Sequence, residues 1–144
     1  MKVELENLEV IGLLSERHAV LHRLVEEKWN EHNDLYISNS EWYILKRIYK
    51  KQPTISEVTK SVDISRQATH KFIKRLQEKG LVEVRNVEHS KKHKAIRMTA
   101  FGEECYEKNE LIKAEIEGQL IYTIGEEQVT TLKNILKLDW KMEH

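Results

Sequence analysis

Residues 64–83, ISRQATHKFIKRLQEKGLVE, constrain the fold more than any other stretch, because they hold a helix start, two unlike helix faces and a helix stop. The Ser65 hydroxyl can cap an otherwise unpaired amide of the first turn, and the helix it opens runs to about Lys79. At about 100° per residue, Ala68, Thr69, Phe72, Ile73 and Leu76 gather into one apolar arc. The opposite arc holds Gln67, His70, Lys71, Lys74 and Glu78, with Arg66 at its flank. Gly80 stands where a left-handed residue is needed to leave a helix, and the chain then enters LVEVRNV, which has strand character. A face needed only for solubility mixes both charge signs, whereas here cations and amides fill the first two turns.

Total charge hides this asymmetry. The 144-residue chain carries 24 Lys and Arg against 24 Asp and Glu. From Pro53 to Thr99, however, eleven basic residues face five acidic ones, a net of +6, and the remainder carries −6. A basic middle between acidic ends points to a polyanionic partner. The length suits one domain with its own core. Cys105 is the sole cysteine, so no internal disulfide is possible, and its place on a helical core stripe suits a small buried hydrophobe better than a redox sensor. No apolar run reaches the roughly 20 residues that span a bilayer, and MKVELENLEV is too acidic for a signal peptide. A soluble, cytoplasmic protein is expected. With no Gly-rich phosphate loop, no carboxylate pair in an apolar setting and no nucleophile beside a base, the sequence points away from an enzyme and implies no cofactor.

Helices dominate the chain. The first is expected over residues 5–31; its segment Leu8, Val10, Ile11, Leu13, Leu14 is apolar on more than one side, as in a helix that borrows a partner from a second subunit. Ser38-Asn39-Ser40-Glu41 fits a capping box and starts a helix to about Lys50 that buries Trp42, Leu45 and Ile48 or Tyr49. Thr54-Ile55-Ser56-Glu57 is a second box, opening a short helix to about Ser61. VDI then turns the chain into the helix at Ser65, which makes a helix-turn-helix. LVEVRNV and AIRM form a β-hairpin around the charged tip EHSKKHK, and Thr99 caps a long helix from Ala100 to about Tyr122 with Phe101, Cys105, Ile112, Ile116 and Leu120 on one stripe. A last helix carries Val129, Leu132, Ile135 or Leu136, and Trp140. The fold class is mainly α with a small β-hairpin wing: a winged helix-turn-helix over residues 37–99, flanked by helical regions at 1–36 and 100–144 of a single domain.

SRQATHKFIKRLQEKGLVE followed by IRMTAFGEE, together with ISNSEWYIL, resembles the MarR family of bacterial transcription regulators over essentially the whole chain. The first two stretches are similar to the family's recognition helix, strand entry and Leu-Thr-x-x-Gly helix start, the third to its Thr-x-x-Gln-Trp-x-x-Leu segment. The resemblance implies a homodimer, paired through its first and last helices, that binds a roughly palindromic operator as a repressor and is often released by a small ligand or an oxidant. Two departures stand out. Where the family wing usually has Asp-Arg-Arg this chain has Ser90, Lys91 and Lys92, and where its recognition helix usually has Thr and Asp stand His70 and Lys74. Lysine reads a minor groove less directionally than arginine.

Gln67 can address an adenine edge and Arg66 a guanine edge through bidentate hydrogen bonds. Lys71, Lys74 and Lys91 suit phosphates, which set affinity and register without carrying sequence information. Thr54, Ser65, His70, Lys92 and Lys94 complete the expected DNA-binding set. The family suggests a pocket for a small aromatic or amphipathic effector among Trp29, Tyr36, Trp42 and Tyr43, where plain packing serves equally well. His18, His22 and Glu26, spaced four apart on the first helix, have a metal-ligand spacing but no cysteine beside them, and His89 and His93 on the wing are weaker candidates. The alternatives to a DNA-binding regulator are a winged helix that docks on an acidic protein and a zinc-responsive member of the same family.

Overall fold

A computed structural model describes residues 4–87 and 93–142. Its elements in chain order are α1 (Val10–His32), α2 (Asn39–Ile48), α3 (Ile55–Ser61), α4 (Arg66–Glu78), β1 (Val82–Asn86), β2 (Lys94–Met98), α5 (Ala100–Ile124) and α6 (Glu126–Lys137). They fall into two compact units, Asn33–Glu110 and the pair of segments Met1–His32 and Leu111–His144.

The Asn33–Glu110 unit is built on its caps. Ser38 and Glu41 close the expected box reciprocally, the Ser38 hydroxyl accepting from Glu41 N–H at 3.2 Å and the Glu41 carboxylate from Ser38 N–H at 2.9 Å. Thr54 caps α3 by accepting from Glu57 N–H at 3.1 Å, and Ser65 caps α4 by accepting from Ala68 N–H at 3.1 Å. Ile44, Leu45 and Ile48 of α2, Val58 of α3 and Ile73 and Leu76 of α4 form the core with Leu81, Val82, Ile96 and Met98. In α2 the buried arc is turned from the expected one: Glu41 and Ile44 are inside and Trp42 is half-buried, because α2 packs against α3, α4 and β2 rather than against one neighbour.

β1 and β2 pair antiparallel with Val82 opposite Met98 and Val84 opposite Ile96, and along β2 the buried Ile96 and Met98 alternate with half-buried neighbours as the pleat requires. A feature not foreseen is a third extended piece: Ile96 N–H donates to Pro53 O at 2.9 Å and Thr54 bridges Ala95, which pins the start of α3 to the hairpin. Thr99 caps α5 by accepting from Gly102 N–H at 3.0 Å and also donates to Gly80 O at 2.6 Å. Phe101 lies outside the core, at 47% exposed. The inward stripe runs instead through Gly102, Cys105, Tyr106 and Asn109, because the backbone of Leu81 is pressed against Gly102.

In the other unit Lys28 of α1 pairs with Glu115 of α5 at 3.0 Å, and Lys133 of α6 with Glu117 of α5 at 3.1 Å. α1 starts at Val10, later than expected, after a separate turn in which Leu8 N–H reaches Leu5 O. α5 runs on to Ile124, where Gly125 at φ 97° ends it. α6 stops at Lys137, so Trp140 is not helical as expected. Asp139 accepts from Lys141 N–H at 2.8 Å, a local turn that competes with helix continuation, and the Trp140 indole donates back to Ile135 O at 2.9 Å. Trp29, Ile116 and Val129 are the only buried apolar side chains among the described residues of this unit. No helix among the described residues is long and apolar enough to cross a membrane.

Candidate nucleic-acid interface

α4 shows two faces. Thr69, Ile73 and Leu76 are buried and Ala68 and Phe72 half-buried, whereas Arg66, Gln67, His70, Lys71 and Lys74 are all exposed. These five lie within three turns of one helix whose first turn is capped by Ser65, which accepts from Ala68 N–H. The Ser65 carbonyl also accepts from the Thr69 hydroxyl at 2.9 Å, which anchors the first turn from inside. The hydroxyls of Ser65 and Thr54 are committed as acceptors to their caps, so each has its proton left to donate. Lys94 is exposed at the start of β2, opposite Asn86. Lys91 and Lys92, with His89 and Ser90, lie outside the described residues.

The hairpin that carries the wing is held by charge as well as by its ladder. Glu83 accepts from the Nε of Arg97, its direct cross-strand partner, and pairs with Arg85 at 2.9 Å. The hydrogen bond from Arg97 holds the Glu83 carboxyl below the usual carboxylate range against an opposing desolvation, with the charges of Arg85 and Arg97 adding to the effect.

The four aromatic residues expected around an effector are placed differently from one another. Trp29 is buried in the unit that contains α1; Trp42 and Tyr43 are half-buried on α2, and Tyr36 is 58% exposed. Arg47 engages Tyr43 twice, by a 3.0 Å hydrogen bond to its hydroxyl and by stacking 5.0 Å above its ring. An open groove of about 730 Å³ does exist in the Asn33–Glu110 unit, but Lys50, Lys51, Gln52, Glu83, Arg97 and Thr99 are among its lining residues and none of the four aromatics is.

On α1 the His18 and His22 rings stack at 5.9 Å, and His22 lies 3.5 Å from Glu26. Among the described residues no group of three or more His, Cys, Asp or Glu could hold a metal ion. Cys105 is buried, and its thiol is pushed up by that burial, away from the thiolate that redox sensing needs. Two residues that sequence reasoning did not place in the site are Glu41 and Lys79. Glu41 was visible as half of a capping box, but its partner Lys79 lies 38 residues away, and no local periodicity links them.

The family model described as MarR family matches residues 37–93, the segment that contains α2, α3, α4 and β1. Over these residues the chain is similar to the MarR family. Solved structures extend the likeness to the whole MarR fold. The reduced form of MarR from E. coli superposes with a TM-score of 0.78 at 21% identity, over 92% of this chain and 97% of that one. Wild-type apo MarR from E. coli gives 0.74 at 22%, over 92% and 97%. MepR, a transcription regulator of the Staphylococcus aureus multidrug efflux pump MepA, gives 0.72 at 18%, over 90% and 94%. At these identities the structures speak for the fold, and the MarR architecture of six helices and a two-stranded wing is the one seen here. No curated relative matches by sequence.

Proposed function

We propose that the chain is a dimeric, sequence-specific double-stranded DNA-binding regulator that acts as a repressor. The observation that carries this reading is the outward face of α4, where Arg66, Gln67, His70, Lys71 and Lys74 stand exposed above an apolar underside. Arg66 and Gln67 match the donor and acceptor patterns of guanine and adenine edges in a major groove. Lys71, Lys74, Lys94 and the wing lysines Lys91 and Lys92 take phosphates, assisted by the hydroxyl protons of Thr54 and Ser65. Two copies of α4 in one dimer enter successive major grooves about 34 Å apart. The dimer is supported by the sparse core of the α1, α5 and α6 unit, and the regulatory role by the relatives with this fold, one of which is described as a multiple antibiotic resistance repressor.

The test is selection of binding sites from a random duplex library, followed by titration at two salt concentrations. Gln67→Ala should relax preference at one position of each half-site while leaving the others sharp. Lys74→Ala should weaken every sequence alike and lower the slope of log affinity against log salt by about 0.9 for each lost phosphate contact. Equal losses for both variants on unselected DNA would remove the division into readers and anchors, and no enriched sequence at all would remove the DNA reading.

A further inference from the structure

Glu41 is 1% exposed, yet it carries an ion pair. Lys79 Nζ donates to both of its carboxylate oxygens at 2.7 Å, and Ser38 N–H donates to Oε1 at 2.9 Å. The same Nζ lies 5.6 Å from the centroid of the Tyr36 ring. Lys79 is the C-cap of α4: its N–H bonds to Arg75 O and Gln77 O, and Gly80 at φ 76° then turns the chain so that Leu81 N–H returns to Leu76 O. The last residue of the helix that offers Gln67 and Lys74 outward is thus tied to Tyr36, Ser38 and Glu41, at the start of α2.

Net stability is a poor reason for such a pair. Desolvating two charges offsets most of their attraction, and an apolar pair of similar volume commonly serves as well. What the arrangement does supply is direction, because a carboxylate held by three hydrogen bonds from two groups has little freedom. Reading base edges requires side chains placed to about 0.5 Å, whereas a phosphate contact tolerates far looser placement. The MarR pattern has Gln where Glu41 stands, and a Gln can accept the Ser38 amide but brings no charge to Lys79.

From these contacts we infer that Glu41 and Lys79 are positioning residues that fix the end of α4, so that its outward face discriminates between sequences rather than merely adhering to DNA. The inference rests on the DNA-binding reading above. Neither residue needs to touch the nucleic acid, and Glu41 is too buried to do so.

Glu41→Gln is the informative variant because it keeps the cap and removes only the charge. Without DNA, hydrogen exchange at the amides of Lys79, Gly80 and Leu81 is expected to quicken about tenfold. With DNA, the Kd for the duplex most enriched by the wild type should rise about tenfold, while that for a scrambled duplex stays within about twofold. The double variant Glu41→Gln/Lys79→Gln, which leaves no unpaired charge buried, is expected to follow the single one. Unchanged exchange, an unchanged ratio of the two affinities, or equal loss on both duplexes overturns the positioning role. A wild type that enriches no sequence fails the DNA reading and takes the inference with it, an outcome distinct from a wild type that enriches while Glu41→Gln keeps its ratio.

Discussion

A methyl group on Gly102 would sit 2.0 Å from the carbonyl oxygen of Leu81 and 2.8 Å from Met98 Cγ. Leu81 is the residue by which α4 hands over to the hairpin, and its carbonyl is also the acceptor for Thr99 N–H at 3.0 Å. One glycine therefore sets how closely α5 approaches the winged helix. Gly102→Ala should destabilise the fold by about 3 kcal/mol or more in urea unfolding, since the obstacle is backbone and cannot rotate away. Lys50 presents the opposite case. It adopts φ 57° after α2, a left-handed conformation that a side chain disfavours. Lys50→Gly should raise stability by about 0.5–1 kcal/mol in the same assay, and a loss instead would mean that its place 5.6 Å over the Tyr49 ring matters more than the backbone.

Among the elements, α4 was the most legible, because Ser65, the apolar arc and Gly80 are local signals that agree with one another. α3 and the hairpin were readable for the same reason. What could not be read locally were the facts decided by neighbours. Phe101 fits a helical stripe by spacing, but Gly102 turns the inward face of α5 away from it, and Trp140 fits the period of α6, but the turn at Asp139 ends that helix first. The outer face of α4 could be listed as candidate readers from the sequence, whereas the Glu41–Lys79 tie that holds its end depends on long-range packing. The hairpin yields a prediction at this scale. Because Arg97 holds the folded Glu83 below its unfolded pKa, the stabilisation is present above the unfolded value and is lost as pH falls through the folded one. The urea midpoint of the wild type should drop more steeply from about pH 6 to about pH 3 than that of Glu83→Gln, with the two curves converging at the acid end. Parallel curves would show that the cross-strand pair contributes nothing to stability.

At the scale of the whole molecule, apolar surface is shared unevenly. All the exposed large apolar side chains among the described residues, save Tyr36 and Phe101, belong to the unit of α1, the distal part of α5 and α6. Ile11 is 82% exposed, Leu111 71% and Met142 79%, while the same unit buries little of its own. Under the proposed function this exposure on helices is the surface that another chain would cover, and a second copy is the partner that the proposed two-fold reading of DNA requires. The resulting prediction separates the dimer from a stable monomer. In a monomer, Ile11→Glu changes an exposed position and should alter stability by no more than about 0.5 kcal/mol. In a dimer that closes over α1, the same substitution buries a charge twice. Light scattering should then give twice 17.1 kDa for the wild type and a mass shifting towards 17.1 kDa for the variant. The wild-type melting temperature should rise with protein concentration, because association stabilises the folded chains by mass action. Binding to a two-half-site duplex should weaken by about 10²-fold or more in the variant, while a single half-site is bound as before, since only the linkage between two α4 helices has been lost. If Ile11→Glu leaves mass and melting unchanged, the apolar surface of α1 is not the seam, and the paired reading of an operator has to be built on α6 or abandoned.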